Sequence, residues 1–477
     1  MTALQDCNFN GSASGGPEVV PAAGVGPAGE IEASQDFDAV VIGGGVAGLS
    51  ACIFLCRAGL RVLCIEPEKF PHDRVGESLD WSSPQLLKDL GVPGDELIDS
   101  RIATYKRNIK IEGTGRPAWT AQPKEWFRRR PISFEVVTLH VDRVEMDRRI
   151  FEVAERLGTG FLWSRVSKIE THEGRVIAIR TGDNKRFTAR WFIDASGQAR
   201  LFARAFNIPK VEYGKPKVCV WARFKTAIHN EGTTFYVDPD PGEYLAWIWE
   251  IPIRPLVSSI GCVMPADRMK NLHSAGQDVK AIFTAEIAKH TRLARLAAAE
   301  PNFEIYTCSY RTYVHERVCG DNWFMVGESA SLPDPLTSNG VTAAIRHSKE
   351  ACAFITETER RHGGKESQSP IITPARTRWV YEKNVRGMGH VFNHSIETAI
   401  YATELRKGLG VRSAQKVYTA FSYTINALYS RWQPRTPFRS KLFGWLLSGV
   451  WTWIEWWALV GSATMKFRPL GKKHLQA

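Results

Sequence analysis

The chain reads as an α/β protein in which a parallel, nucleotide-domain type of sheet is interleaved with an antiparallel one, followed by a helical C-terminal region. Three observations predict this. "FDAVVIGGGVAGLSACIFLCRAGLRVLCIEP" from Phe37 has the order strand, glycine turn, helix, strand of a βαβ unit. "KVCVWARFKT", "EYLAWIWEIPI" and "SSIGCVM", within 215–265, are closely spaced apolar runs suited to antiparallel strands. "DNWFMVGESA" then returns to the style of the first domain, before a helix over 340–358.

Taken in order, residues 1–35 are rich in Gly, Ala, Pro and Ser without periodicity, and are expected to be a disordered tail. A helical stretch is predicted near 83–91, and "TYKRNIKI" (104–111) alternates like one strand. The helix within 140–158 has Asp142 as N-cap and Gly158 as its stop, with Arg143 and Asp147 spaced for an ion pair. "RWFIDASG" is a strand ending in a small-residue turn. The expected division assigns 36–115, 140–212 and 300–365 to the nucleotide-binding domain. It assigns 116–139 and 213–299 to the sheet domain, and 366–477 to the helical, Trp-rich end.

With 44% hydrophobic and 23% charged residues the composition is that of a globular protein. The net charge of +12 is scattered, apart from short clusters such as Arg128-Arg129-Arg130, so nucleic acid is not the expected partner. The nine cysteines form no C-x-x-C pair and there is no secretory leader pattern, so free thiols and a cytoplasmic location are expected. No metal site is predicted.

Gly43, Gly45 and Gly48 form G-x-G-x-x-G between strand and helix, with Ala47 inside the motif. The first glycine makes the turn, the second admits a pyrophosphate, and the third lets helix and strand approach. Glu66, at the end of the next strand, is placed for a ribose hydroxyl. Asp194 in "DASG" and Glu328 in "GESASLPDPLTSNG" lie where a Rossmann-type, glutathione-reductase-like fold brings the chain back to a flavin. No second glycine motif is present for a separate nicotinamide domain. The expected cofactor is FAD, with Arg74, Glu77 and Gly340 as further cofactor-binding candidates.

"WIWEIP", Trp247–Pro252, resembles the W-x-W-x-I-P signature of the flavin-dependent halogenases, the tryptophan halogenase family in the broad sense. "RVGES" (74–78), "TYKRNIKI" and "DPLTSNG" (334–340) resemble further segments of that family, in the same order. The resemblance spans roughly 36–350. It implies that reduced FAD from a separate flavin reductase, O2 and chloride or bromide give hypohalous acid. A lysine, matched by Lys106 in preference to Lys110, would present that oxidant to an electron-rich carbon. It implies that Trp247 and Trp249 wall the flavin from the substrate; as bare residues they read equally well as core aromatics. Ser338, Asn339 and Gly340 match the segment expected to cradle halide. The family's glutamate in E-P-L-E-S-T-G is replaced by Thr337, which cannot take a ring proton in the same way. The expected substrate is therefore a phenol, a pyrrole, an indole-like ring or a carrier-bound aromatic, not free tryptophan. The alternative is an FAD-dependent monooxygenase or a geranylgeranyl-reductase-type enzyme acting on a hydrophobic substrate.

"LFGWLLSGVWTWIEWWALVGSATM" (442–465) carries five tryptophans and one acidic residue. Three readings stand for it: the lining of an apolar substrate pocket, a peripheral membrane contact favoured by flanking basic residues, or a subunit interface.

Overall fold

Val40 and Val41, the centre of the first strand, are fully enclosed in a computed structural model that describes residues 37–69, 74–80, 82–113, 116–121, 137–237, 244–362, 371–397 and 401. Five parallel strands lie in the order Trp323–Met325, Trp191–Asp194, Ala39–Ile42, Val62–Glu66 and Gly160–Trp163. Their continuous apolar runs suit a parallel sheet covered on both faces. The helix Val46–Arg57 packs against the long helix Gly340–Arg361 and against Arg143–Arg156.

The helix Arg143–Arg156 starts where the sequence puts it. Asp142 accepts from the amides of Val144 and Glu145, satisfying donors that a helix start leaves open. Gly158 follows with φ +86. Residues 138–141, just before it, are a strand rather than helix.

The second sheet has seven strands in the order Tyr306–Tyr310, Lys217–Lys225, Val257–Pro265, Trp247–Arg254, Gly232–Tyr236, Asn108–Gly113 and Arg116–Ala121. It is antiparallel except where Gly232–Tyr236 runs parallel to Asn108–Gly113. One face packs against the helices Ala266–Ser274, Val279–Ile287 and Thr291–Ala299; the other carries the tryptophans.

Two boundaries differ from the expected division. Asn108–Gly113 and Tyr306–Tyr310, placed by sequence in the nucleotide domain, pair within the seven-stranded sheet. "TYKRNIKI" is two strands, not one. Ala103–Lys106 pairs with Thr138–Val141; then the Arg107 amide donates to Glu231 O at 2.7 Å and the chain changes sheets. Side-chain alternation survives this switch, so a periodicity argument cannot detect it.

The eight cysteines among the described residues are free. No described helix is long and apolar enough to cross a membrane. The expected tail at 1–35 and the Trp-rich stretch 442–465 lie outside the described residues.

Candidate active site

The helix Val46–Arg57 opens on Gly45, with no side-chain cap and no acidic residue in its first turn, leaving its amides directed at an anion. Gly43 has φ +100, and a Cβ there would collide with the Ala195 carbonyl. Gly48 packs directly on the Gly43 carbonyl, beside Ala47. A Cβ on Gly45 would meet nothing but the Arg74 guanidinium, at 2.8 Å. A bare turn, an open helix end and an adjacent arginine make a cradle that fits the FAD pyrophosphate. The Glu66 carboxylate accepts from the Gly44 amide, bracing the turn from the neighbouring strand.

Asp194 braces a second turn. Its carboxylate accepts from the Ser196 amide at 2.9 Å, the Ser196 hydroxyl at 2.6 Å and the Phe202 amide at 2.7 Å. At Glu328 and Glu77, burial raises both carboxyl pKa values against the opposing pull of arginines: Arg74 and Arg143 on Glu328, Arg223 and Arg143 on Glu77. Arg143 itself forms a buried pair with Asp147 at 2.9 Å and donates to Val75 O at 2.8 Å, tying this helix to the "RVGES" segment.

Lys106, at the end of its short strand, is 3% exposed. Its Nζ donates to Ser78 Oγ at 2.8 Å, Leu79 O at 3.1 Å and Ser338 Oγ at 3.3 Å. Burial lowers its pKa to about 7, while the charge of Asp80 pulls the other way. Lys110, by contrast, is half-buried and pairs with Glu112.

Ser78 also meets Thr233 Oγ1 at 3.3 Å, and Thr233 meets His140 Nε2 at 2.9 Å. Burial first, then the Lys106 charge, holds His140 neutral. Ser78, Thr233 and His140 had no signal in the sequence beyond the adjacency of Ser78 to Glu77. Nothing local to a strand residue such as Thr233 says which chain it will face.

Thr337 is not the hydroxyl at the lysine. Its Oγ1 turns back to Asp334 O at 3.3 Å, and Ser338 reaches Lys106 instead, from a left-handed backbone with φ +61. The Ser338 amide is already bonded to Pro335 O at 3.0 Å, so it has no free donor for halide. Asn339 has its amide oriented to donate to Asp80 Oδ2 and Thr337 O, both at 3.2 Å. Gly340 begins the long helix, and a Cβ there would meet nothing within 4 Å.

Trp247 and Trp249 share one face of their strand, each 4% exposed, with ring centroids 5.7 Å apart. Trp249 lies across Gly261, its partner on the next strand; a Cβ on Gly261 would fall inside the indole. Trp249 Nε1 donates to Ser259 Oγ at 3.2 Å and Trp247 Nε1 to Tyr401 Oη at 2.8 Å. Pro252 ties this strand to the short strand that carries the lysine, its carbonyl accepting from Thr104. Glu250, on the opposite face, holds Arg292 at 2.7 Å and Tyr236 at 2.6 Å, fastening the outer helices.

The tryptophan halogenase family matches residues 127–362, over the tryptophan strand and the Ser338 turn, and an FAD-binding domain family matches 38–83. The chain belongs to the flavin-dependent halogenases. Among curated relatives, a 1H-pyrrole-2-carbonyl-[peptidyl-carrier protein] brominase of Pseudoalteromonas luteoviolacea is 28% identical over 68% of this halogenase and 78% of the relative. The corresponding chlorinase of Pseudomonas fluorescens is 25% identical over 69% and 77%. In fold, the halogenase superposes on the flavin-dependent brominase Bmp2 with TM-score 0.60, at 21% identity over 88% of this chain and 94% of that one. The myxobacterial chondrochloren halogenase CndH gives TM-score 0.62, at 20% identity over 91% and 98%. The halogenase is an FAD-dependent oxidoreductase.

Proposed function

We propose that this halogenase transfers chlorine or bromine to a phenol, pyrrole or indole-like ring, free or carrier-bound, and not to free tryptophan. We further propose that Lys106 presents the oxidant. Bound reduced FAD, with O2 and halide, supplies the oxidising equivalent as hypohalous acid. Its reduction comes from a separate flavin reductase: among the described residues there is one five-stranded parallel sheet of the nucleotide-binding kind.

The observation that carries the reading is the setting of Lys106: a buried ammonium facing three acceptors, one of which, the Leu79 carbonyl, can only accept. The longest contact, to Ser338, is the one a hypohalous acid would displace. As the O–X bond breaks and halogen passes to the ring carbon, the Lys106 ammonium gives its proton to the oxygen so that water leaves, and the resulting amine takes up the proton that the ring carbon releases. Asp80, the acidic group coupled to Lys106, already accepts from Ser82 and Ser83, and Thr337 and Ser338 are neutral. A ring activated by its own oxygen or nitrogen needs no carboxylate base here, which favours phenol and pyrrole over the benzene edge of tryptophan. Two relatives are named for a pyrrole on a peptidyl-carrier protein, which supports the same class. The named relatives favour halogenation over the hydroxylation or prenyl reduction weighed as the alternative.

The test combines protein, FAD, flavin reductase, NADH, O2 and bromide with phenol, free pyrrole, a pyrrole-2-carbonyl carrier-protein thioester, indole or tryptophan, read by mass spectrometry beside Lys106→Ala. Monobrominated phenol or pyrrole product, absent in the variant, is expected. Bromination that survives Lys106→Ala sinks the lysine. Bromotryptophan sinks the substrate class, and hydroxylated product alone sinks the halogen transfer.

A further inference from the structure

The sheet face that carries Trp247 also buries Lys217, which is 1% exposed and has no hydrogen-bond acceptor among the described residues. Asp334 Oδ2 lies 3.4 Å from its Nζ and Glu397 Oε2 3.8 Å. The rings of Tyr401, Tyr244 and Tyr310 stand 4.2, 5.6 and 5.7 Å away. Asp334 Oδ2 is itself without a hydrogen bond. An ammonium desolvated on these terms is poorly compensated, and apolar packing of the same shape commonly serves stability as well or better. Stability alone therefore does not account for Lys217.

Its neighbours do. Asp334 Oδ1 accepts from the Leu336 amide at 3.0 Å, capping the turn Pro335–Thr337 that delivers Ser338 to Lys106. The same Oδ1 accepts from Tyr401 Oη at 3.2 Å, and Tyr401 Oη accepts from Trp247 Nε1 at 2.8 Å. One carboxylate thus joins the Ser338 turn to the tryptophan pair, and one buried cation faces both that carboxylate and the tyrosine ring.

We propose that Lys217 is a positioning residue of halogen transfer: it fixes Asp334 and Tyr401 and, through them, sets Ser338 at Lys106 and Trp247 in its pair. The proposal rests on the role given to Lys106 above, so its test includes a reading that needs no turnover. Lys217→Met, Lys217→Arg and Tyr401→Phe are compared with the parent FAD-loaded protein. Lys106 is carbamylated with cyanate across pH and followed by peptide mass spectrometry. In parallel, reduced protein with O2, bromide and phenol is assayed for organobromide and for hypobromous acid caught by a soluble trap.

Losing the Ser338 acceptor disfavours the ammonium, so the Lys106 midpoint falls below about 7, by about half a pH unit in Lys217→Met and Tyr401→Phe. Lys217→Arg stays close to the parent. General unfolding moves the midpoint the other way, towards 10.5. The ratio of trapped oxidant to organobromide rises about fivefold in the same two variants, the factor for one lost hydrogen bond. A smaller folded fraction lowers both quantities together and leaves that ratio alone. Should Lys217→Met not fold, Tyr401→Phe, which removes one oxygen, decides. An unshifted midpoint in the folded variants overturns the proposal. A parent protein that makes no organobromide overturns the proposed function, while the midpoints still decide this one.

Discussion

Lys106 and Lys110 look alike in an alternating segment, yet one is enclosed by three acceptors and the other pairs with Glu112 beside water. The buried amine has consequences at two levels. Between about pH 7 and 10.5 the unfolded chain keeps this lysine protonated while the folded protein releases its proton, so the folded state binds fewer protons and stability rises with pH across that window. The full penalty is present at and below about pH 7. Lys106→Met removes it, and is expected to have a melting temperature equal to or above the parent's at pH 6 to 7, with the advantage gone near pH 10. A lower Tm at neutral pH would contradict this. In the proposed reaction the ammonium is the donating form, and Asp80 and a neutral His140 are titratable groups that face it among the described residues. Organobromide formation is expected to fall as pH rises through about 7, while hypobromous acid trapped without substrate does not fall in step. A parallel fall in both would place the titrating group elsewhere.

The strand Trp247–Arg254 answers why two tryptophans stand in register. Gly261 on the adjacent strand leaves a gap the width of an indole, and Trp249 fills it. Gly261→Ala is expected to cost about 1–3 kcal/mol by overpacking, measured by urea unfolding, and Trp249→Phe in that background should recover part of the loss. An Ala variant as stable as the parent would show that the ring moves freely. The turn before Val46–Arg57 allows a different forecast. Gly43→Ala, with φ +100 and the Ala195 carbonyl in the way, should leave a folded protein that purifies without flavin absorbance. The end of the same tryptophan strand is fastened to the nucleotide domain, Arg254 Nε reaching Asp142 Oδ2 at 2.7 Å while Asp142 caps its helix. Asp142→Ala removes both functions and is expected to cost about 1–2 kcal/mol.

The chain enters or leaves the seven-stranded sheet several times, at Arg107, after Glu212 and again after Tyr310, and the five-stranded parallel sheet draws its strands from between residues 39 and 325, so neither sheet is a continuous stretch of sequence. Unfolding should be cooperative across both, and FAD, which binds the folded state alone, should shift it. At a hundredfold excess over Kd the stabilisation is roughly 2.7 kcal/mol. Far-UV and near-UV transitions are expected to move together as FAD is added. If the tryptophan signal melted at an FAD-independent temperature, the two sheets would be energetically separate.

The glycine turn, its helix, the acidic end of the second strand, the Asp142 cap and the tryptophan pair were all legible, because each depends on residues a few positions apart. The Lys106 environment was not. It is assembled from Ser78, Lys106 and Ser338, separated by 28 and 232 positions, and no periodicity encodes which hydroxyls will meet across such distances. The exchange of Thr337 for Ser338 at the lysine has the same origin, since a single left-handed residue decides which of two neighbouring side chains faces inward. Local chemistry thus pointed to a dinucleotide site, and the resemblance of short segments to known ones pointed to the family of reaction. Long-range packing alone decided which amine is dry, which hydroxyl it meets and which glycine makes room for an indole.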